Sequence, residues 1–253
     1  KEPFETFNIN ILGTLNLLDI CRNSNITKSI INVITDKCYE DKNQIWAYRE
    51  KDSLGGDDPY SASKACAEII TRSYRKSFFN EENDILLASV LAGNTIGGGD
   101  FSEDRLIPDI MKAYKDNSIV ILRNPYQIRP WQHVLDVLYG YLLLGKKLLE
   151  KDRKFADTWN FGPFEESFIT VEELLRKMQN NCNIRYDIQK KDNLKETEVL
   201  KLDSTKARTL LKWKPKFNID NVIDETFKWY KNYFEYEAGT LMTKFQIKSY
   251  FNL

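Results

Sequence analysis

Tyr60 and Lys64 stand four residues apart in the run Pro59-Tyr60-Ser61-Ala62-Ser63-Lys64. On a helix that spacing puts the phenol and the ammonium on one face, where both can reach one cleft. A neighbouring cation favours phenolate, so the pair could serve as a general base toward an alcohol. Upstream, Thr35-Asp36-Lys37 follows directly on the β-branched run Ser29 to Ile34. A hydroxyl, a carboxyl and an amine at a strand end supply a hydrogen-bond donor, a proton donor and a possible second base. Open parallel sheets place their ligand crevice just there, beyond the carboxyl ends of the strands. Taken singly, Tyr-x-x-x-Lys can be an exposed helical pair and Thr-Asp-Lys an ordinary turn. The order strand, Thr-Asp-Lys, loop, Pro-Tyr-x-x-x-Lys helix and strand is what points to acid–base chemistry.

The elements that must position these groups are legible in the hydrophobic pattern. Phe7 to Cys21 carries Ile11, Leu12, Leu15 and Leu18 at helical spacing. Ser29 to Ile34 predicts a short buried strand, and the polar stretch Glu40 to Asp58 predicts a loop. Pro59 suits the first turn of a helix running to about Phe79. Asp84 to Val90 is a second strand, closing at Gly93-Asn94. Helix, strand, helix, strand in that order is the mark of a parallel α/β sheet. Further on, Leu106 to Tyr114, Val134 to Leu149, Ser204 to Leu211 and Val222 to Phe234 predict helices. Ser118 to Leu122 and the stretch ending at Trp159-Asn160-Phe161-Gly162 predict strands, and Thr170 with Glu173 predicts a capping box. The expected fold class is therefore α/β, a partial Rossmann-like, doubly wound parallel sheet with a smaller mixed α/β C-terminal lobe. The sheet domain takes residues 1–100. Residues 101–235 form mainly the lobe, with some segments returning to the sheet, and 236–253 is a tail without an interpretable pattern.

Bulk composition excludes several other classes. Lys+Arg and Asp+Glu both number 37, so net charge is zero and a broad polyanion-binding surface for nucleic acid is not expected. A local basic pocket for one diphosphate remains compatible with that balance. Cys21, Cys38, Cys66 and Cys182 form no C-x-x-C pair and read as free thiols of a reducing cytoplasm. No apolar run approaches the ~18 residues a membrane span requires. The longest, Val134 to Leu149, is broken by Asp136, Lys146 and Lys147. The start, Lys1-Glu2-Pro3-Phe4, has no initiator Met and no signal-peptide core, and reads as the middle of a domain.

Thr35, Tyr60 and Lys64 look like the Ser/Thr-Tyr-Lys set of the extended short-chain dehydrogenase/reductases. Further stretches narrow the resemblance: Thr35 to Glu40, Leu54-Gly55-Gly56, Ala92 to Asp100, Asp104 to Pro108, Arg123-Asn124-Pro125, Ile128 to Val134 and Leu202-Asp203-Ser204. Together, from about Phe7 to Tyr233, the chain resembles the CDP-glucose 4,6-dehydratases. Related dTDP-glucose dehydratases have Asp-Glu where this chain has Asp36-Lys37, and epimerases of the superfamily generally lack that pair.

The resemblance implies an NAD-dependent, redox-neutral elimination on CDP-glucose in deoxysugar biosynthesis. Tyr60 would deprotonate the glucose 4-hydroxyl and Thr35 would hydrogen-bond the same oxygen. Lys37 would remove the C5 proton, while Asp36 would protonate the departing 6-hydroxyl. Tyr60 and Lys64 would also contact NAD, and Asn94, Arg105 and Arg129 the diphosphate or nucleotide. Asn10 matches an asparagine that supports the site from a neighbouring helix, and His133 reads as a structural hydrogen-bonding residue. The resemblance further implies a homo-oligomer when the protein is full length, with no membrane or nucleic-acid partner.

Two features depart from the family pattern. Leu91 stands where an arginine usually precedes Ala-Gly-Asn. No G-x-x-G-x-x-G or G-x-G-x-x-G occurs, although a dinucleotide-binding half carries its phosphate turn between its first strand and helix. That half is expected to precede Lys1, and the chain as given is expected to be inactive alone. The alternatives are a dehydratase or epimerase acting on another nucleotide sugar, or a non-catalytic remnant.

Overall fold

Three apolar runs pair in parallel to make the only sheet of more than two strands among the described residues. The computed structural model describes residues 2–81, 83–189 and 200–253. The chain divides into two compact units, one of Lys1–Gly93, Leu138–Gly162 and Leu200–Lys214, the other of Asn94–Val137, Pro163–Val199 and Pro215–Leu253.

In the first unit, strands β1 (Ser29–Val33), β2 (Leu86–Ala92) and β7 (Thr158–Phe161) pair in the order β1-β2-β7. Val33 lies opposite Val90, and Leu91 opposite Asn160. The central strand is buried along all but its last residue, because side chains alternate between two covered faces. Leu86, Ala88 and Val90 pack with Leu144 and Leu148 of helix α5 (Val134–Leu149), and with Trp159, Phe161, Leu211 and Trp213. Leu87 packs instead with Leu18 of helix α2 (Gly13–Arg22), with Phe79 and Ile85, and with Ile70 and Tyr74 of helix α3 (Pro59–Ser77). This is the doubly wound arrangement, and each large side chain so buried contributes roughly 2 kcal/mol. The predicted first helix is a continuous run with a defect in it. Helix α1 (Pro3–Phe7) passes through a π-helical turn, Asn8–Leu12, into α2.

The second unit is built from two-stranded pairs. Strand β3 (Thr95–Ile96) pairs in parallel with β6 (Gln132–His133), and β4 (Ile119–Leu122) with β9 (Arg185–Ile188). Strand β5 (Ile128–Pro130) runs antiparallel to β8 (Phe168–Thr170). Helices α4 (Leu106–Asp116), α6 (Val171–Met178) and α7 (Ile219–Tyr236) close a core that includes Ile110, Met111, Trp131, Leu174, Leu175, Val222 and Tyr230. The Thr170 capping box forms, with the Thr170 amide donating to Glu173 at 2.7 Å.

Beyond Tyr236 the chain makes a further helix, α8 (Gly239–Phe251), which buries Gly239, Gln246 and Tyr250. It carries no regular apolar stripe, and is held by polar ties together with Met242 against the core and the Tyr250 ring edge-on to Phe217. Tyr250 donates to Asp136 at 2.7 Å and Gln246 to the Glu225 carbonyl at 2.7 Å. A pattern search for hydrophobic periodicity has nothing to find in such a segment.

Candidate active site

Thr35 continues β1 in extended conformation, and Asp36–Cys38 then turn as a single 3₁₀ loop. The Thr35 hydroxyl donates to Asp36 Oδ1 at 3.2 Å and accepts from the Lys37 amide at 3.4 Å. Thr35 and Asp36 are 8% and 3% exposed, whereas Lys37 is exposed. The loop is braced from behind by the Gly55 amide on the Cys38 carbonyl at 2.9 Å, and by a bridge between Tyr39 and Leu54.

Helix α3 brings the second pair to this strand end. Asp58 caps it, accepting from the amides of Tyr60 and Ser61, and Pro59 occupies the first turn. Burial alone would raise the Asp58 carboxyl. The Ser61 and Tyr60 hydrogen bonds and the nearby Lys37 ammonium outweigh that and hold it below the usual range. Tyr60 is 44% exposed, so its phenol is open to a substrate. Lys64 is partly buried, and its ammonium donates to the Val33 carbonyl at 2.8 Å. Burial lowers it from the ordinary lysine range. Gly56 permits the close approach of loop and helix, since a Cβ there would lie 2.5 Å from that of Ser61. Asn10, in the π-helical turn, donates to Ser63 Oγ at 2.9 Å, and Ser63 donates to the Tyr60 carbonyl at 2.8 Å.

Thr35, Asp36, Lys37, Tyr60 and Lys64 thus all belong to the first unit, three on the β1 end and two on α3. Asn94, Arg105 and Arg129 belong to the second unit. There Asn94 accepts the Gln132 amide at its carbonyl at 3.0 Å, and Arg105 is the exposed residue preceding α4. Arg129 is 6% exposed and donates to the Ile128 carbonyl and to Gln127. His133, 1% exposed, is held low, to about 4, by burial. Its Nδ1 accepts the Leu135 amide at 3.2 Å, and its ring meets Phe217 edge-on.

Sequence reasoning missed three contributors. Asp58 could have been found from its place before a helix-opening proline. Ser63, between Asn10 and the Tyr60 carbonyl, has no signature of its own. Tyr141 of α5 has its hydroxyl pushed up chiefly by burial, with Asp36 as a secondary cause. Leu91, in the position of the family arginine, is fully buried among Ile34, Cys38, Tyr39, Tyr48, Ala65 and Leu202. All four cysteines are free thiols, and no helix of the described residues is long and apolar enough to cross a membrane.

A phenol and an ammonium on α3, with a hydroxyl and a carboxyl at the strand end to which Lys64 is tied, can move protons to and from a polyol. They also suit NAD at its nicotinamide and ribose end, where Tyr60 and Lys64 can offer hydrogen bonds to ribose hydroxyls. Nothing in the 253 residues provides a glycine-rich turn for the pyrophosphate, so the fit is to that end of the cofactor.

A doubly wound parallel sheet whose strand end carries Thr-Asp-Lys beside a Tyr-x-x-x-Lys helix defines a Rossmann-like protein of the short-chain dehydrogenase/reductase class. The family model of GDP-mannose 4,6 dehydratase matches residues 1–226, and the chain belongs to that family. It is 40% identical to CDP-glucose 4,6-dehydratase of Salmonella typhimurium over 99% of this chain and 71% of that protein. It is 25% identical to UDP-glucose 4-epimerase of Lactobacillus helveticus, over 92% of this chain and 73% of that one. Among solved structures, dTDP-glucose 4,6-dehydratase of Bacillus anthracis in complex with NAD superposes with a TM-score of 0.77 at 21% identity, covering 93% of this chain and 71% of that one.

Proposed function

We propose that this chain carries the acid–base residues of an NAD-dependent lyase that converts CDP-glucose to CDP-4-keto-6-deoxyglucose. The observation that carries the reading is the Asp36-Lys37 pair, a buried carboxyl and an exposed amine beside Thr35 at the end of β1. An epimerase needs one base at C4, whereas elimination of water across C5–C6 needs a second base and an acid for the leaving hydroxyl. The likeness to a CDP-glucose 4,6-dehydratase supports the same reading.

In this reading Tyr60 takes the proton of the 4-hydroxyl while the Thr35 hydroxyl holds that oxygen. Lys64 stabilises the phenolate and donates to the cofactor ribose. The chemistry NAD supplies when bound is reversible hydride acceptance, from C4 early in the cycle and back to C6 at its end. The resulting 4-ketone acidifies the C5 hydrogen, which Lys37 removes. Asp36 gives its proton to the 6-oxygen, the C6–O bond breaks and water leaves. Reprotonation at C5 completes a redox-neutral dehydration. Asn94, Arg105 and Arg129 are assigned to the diphosphate and nucleotide, and the complete protein is assigned to the cytoplasm as a homo-oligomer.

The test is to incubate the complete natural protein, loaded with NAD, with CDP-glucose in deuterated water. A 4-keto-6-deoxy product bearing deuterium at C5 is expected. A C4-inverted sugar that retains its 6-hydroxyl would replace this reading with epimerisation. Turnover of another nucleotide diphosphate glucose in preference to CDP-glucose would overturn the assignment of the base.

A further inference from the structure

Tyr39 follows the Asp36–Cys38 loop directly, yet nothing in the proposed chemistry uses it. It is 4% exposed, and burial pushes its hydroxyl well above the ordinary tyrosine range, so it remains a hydrogen-bond donor. That hydroxyl donates to Asn160 Oδ1 at 2.8 Å. Asn160 is fully buried on β7, opposite Leu91 in register. Its other groups are also engaged: Nδ2 donates to the Tyr48 carbonyl at 3.0 Å, and its amide donates to Glu50 Oε1 at 3.0 Å. The Tyr48 ring stacks on that of Tyr39, with centroids 5.3 Å apart and planes 7° from parallel. The phenol of Tyr39 is therefore clamped at its tip by β7 and on a face by a second ring.

We propose that Tyr39 and Asn160 form a positioning pair that sets the orientation of the Asp36-Lys37 loop, and so governs the elimination step but not the preceding oxidation at C4. The supports of the two steps are separate. Thr35 extends β1 directly, and Lys64 and Tyr60 are held through the Val33 carbonyl and the Asp58 cap. The loop itself spans three residues and is anchored at its far end through Tyr39. Backbone ties from Gly55 and Ser53 hold the chain path at Cys38 and Glu40 whether or not the Tyr39 hydroxyl is present. What the hydroxyl adds is a fixed rotation of the loop about that path, and small misplacements of an acid or base are costly.

This inference rests on the dehydratase reading, and its test uses the complete natural protein loaded with NAD. In Tyr39→Phe, single-turnover oxidation at C4, followed by nicotinamide absorbance, is expected to stay within about 2-fold of wild type, with KM also little changed, while water loss slows by ~10-fold or more. Reduced nicotinamide then accumulates, a signature that general loosening does not produce. Tyr48→Phe deletes a hydroxyl that accepts the Lys42 amide at 3.0 Å, and it is expected to leave both steps unchanged. Amide exchange at Lys37 and Cys38 is expected to quicken in Tyr39→Phe and not in Tyr48→Phe. Equal slowing of both steps, slowing of neither, or unchanged amide exchange would overturn the proposal. If Tyr39→Phe does not fold, Asn160→Ser, which withdraws the acceptor, is read the same way. Failure of wild type to release water from CDP-glucose would defeat the dehydratase reading instead, and the exchange comparison would still judge the positioning pair.

Discussion

The Lys64 ammonium donates to the Val33 carbonyl at 2.8 Å, tying the helix that carries Tyr60 to the strand end that carries Thr35. One hydrogen bond thus couples two elements that the sequence separates by a long polar loop. Lys64→Met keeps the aliphatic stem and removes the donor and the charge. The expected outcome is loss of co-purifying NAD from the complete protein, and a turnover of CDP-glucose lower by ~10²-fold. Full NAD occupancy with normal turnover would remove Lys64 from the site.

Tyr60 is exposed enough that its hydroxyl can be deleted without opening a cavity. Tyr60→Phe in the complete protein is expected to lower turnover by ~10²-fold or more, the usual range for a general base, with little change in melting temperature. Steady-state assays with CDP-glucose beside a thermal melt check both halves of that statement.

In the proposed mechanism Lys37 acts after C4 has been oxidised. Lys37→Met is therefore expected to bind substrate and to permit cofactor reduction, while release of the 4-keto-6-deoxy sugar stops. Stopped-flow absorbance, followed by product analysis, tests this order. Absence of any reduced cofactor in that variant would place Lys37 in the first step instead.

Leu91 fills an apolar pocket beneath the Asp36–Cys38 loop. Leu91→Arg, which restores the residue that usually precedes Ala-Gly-Asn in the resembling family, would bury a guanidinium among Ile34, Tyr48 and Leu202. A loss of about 3 kcal/mol or more is expected from urea unfolding, since a charge would be desolvated in a pocket packed for leucine. Leu91→Met, close in volume, is expected to cost under ~1.5 kcal/mol. An arginine variant as stable as wild type and faster in turnover would show that the leucine is a functional loss.

His133 is held at about 4 by burial, below its ordinary 6.5. A depressed value means that the native state binds the proton less tightly than the unfolded chain does. The stabilisation from a neutral His133 is thus complete above pH 6.5 and is lost as pH falls toward 4. The loss amounts to roughly 3–4 kcal/mol at most, from ~1.4 kcal/mol for each pH unit of displacement. His133→Asn retains an acceptor for the Leu135 amide and is expected to flatten the decline in urea midpoint between neutral and acidic buffers. An equally steep decline in the variant would shift the acid sensitivity to other groups.

The local chemistry was legible in the sequence because it depends on neighbours along the chain. Alternating faces make β2 a buried strand, Pro59 starts α3, and the spacing of Tyr60 and Lys64 puts both on one helical side. Thr35-Asp36-Lys37 could be placed at a strand end because the β-branched run before it ends there. The helix after Tyr236 escaped, since its ties, such as Tyr250 to Asp136 and Met242 to the core, follow no regular hydrophobic period. That some later segments return to the sheet was expected, but which segments do so was not legible. Residues 138–162 and 200–214 join the unit of the first sheet, because β7 pairs with β2 and Trp213 packs on Phe161. Tyr39 reaching Asn160 across 121 positions follows from the order of the strands. Sequence spacing decides which groups share a turn of helix or a strand face. Contacts between distant segments are decided only when the sheet orders its strands and the cores close, because each is favoured by burial that no single segment can achieve alone.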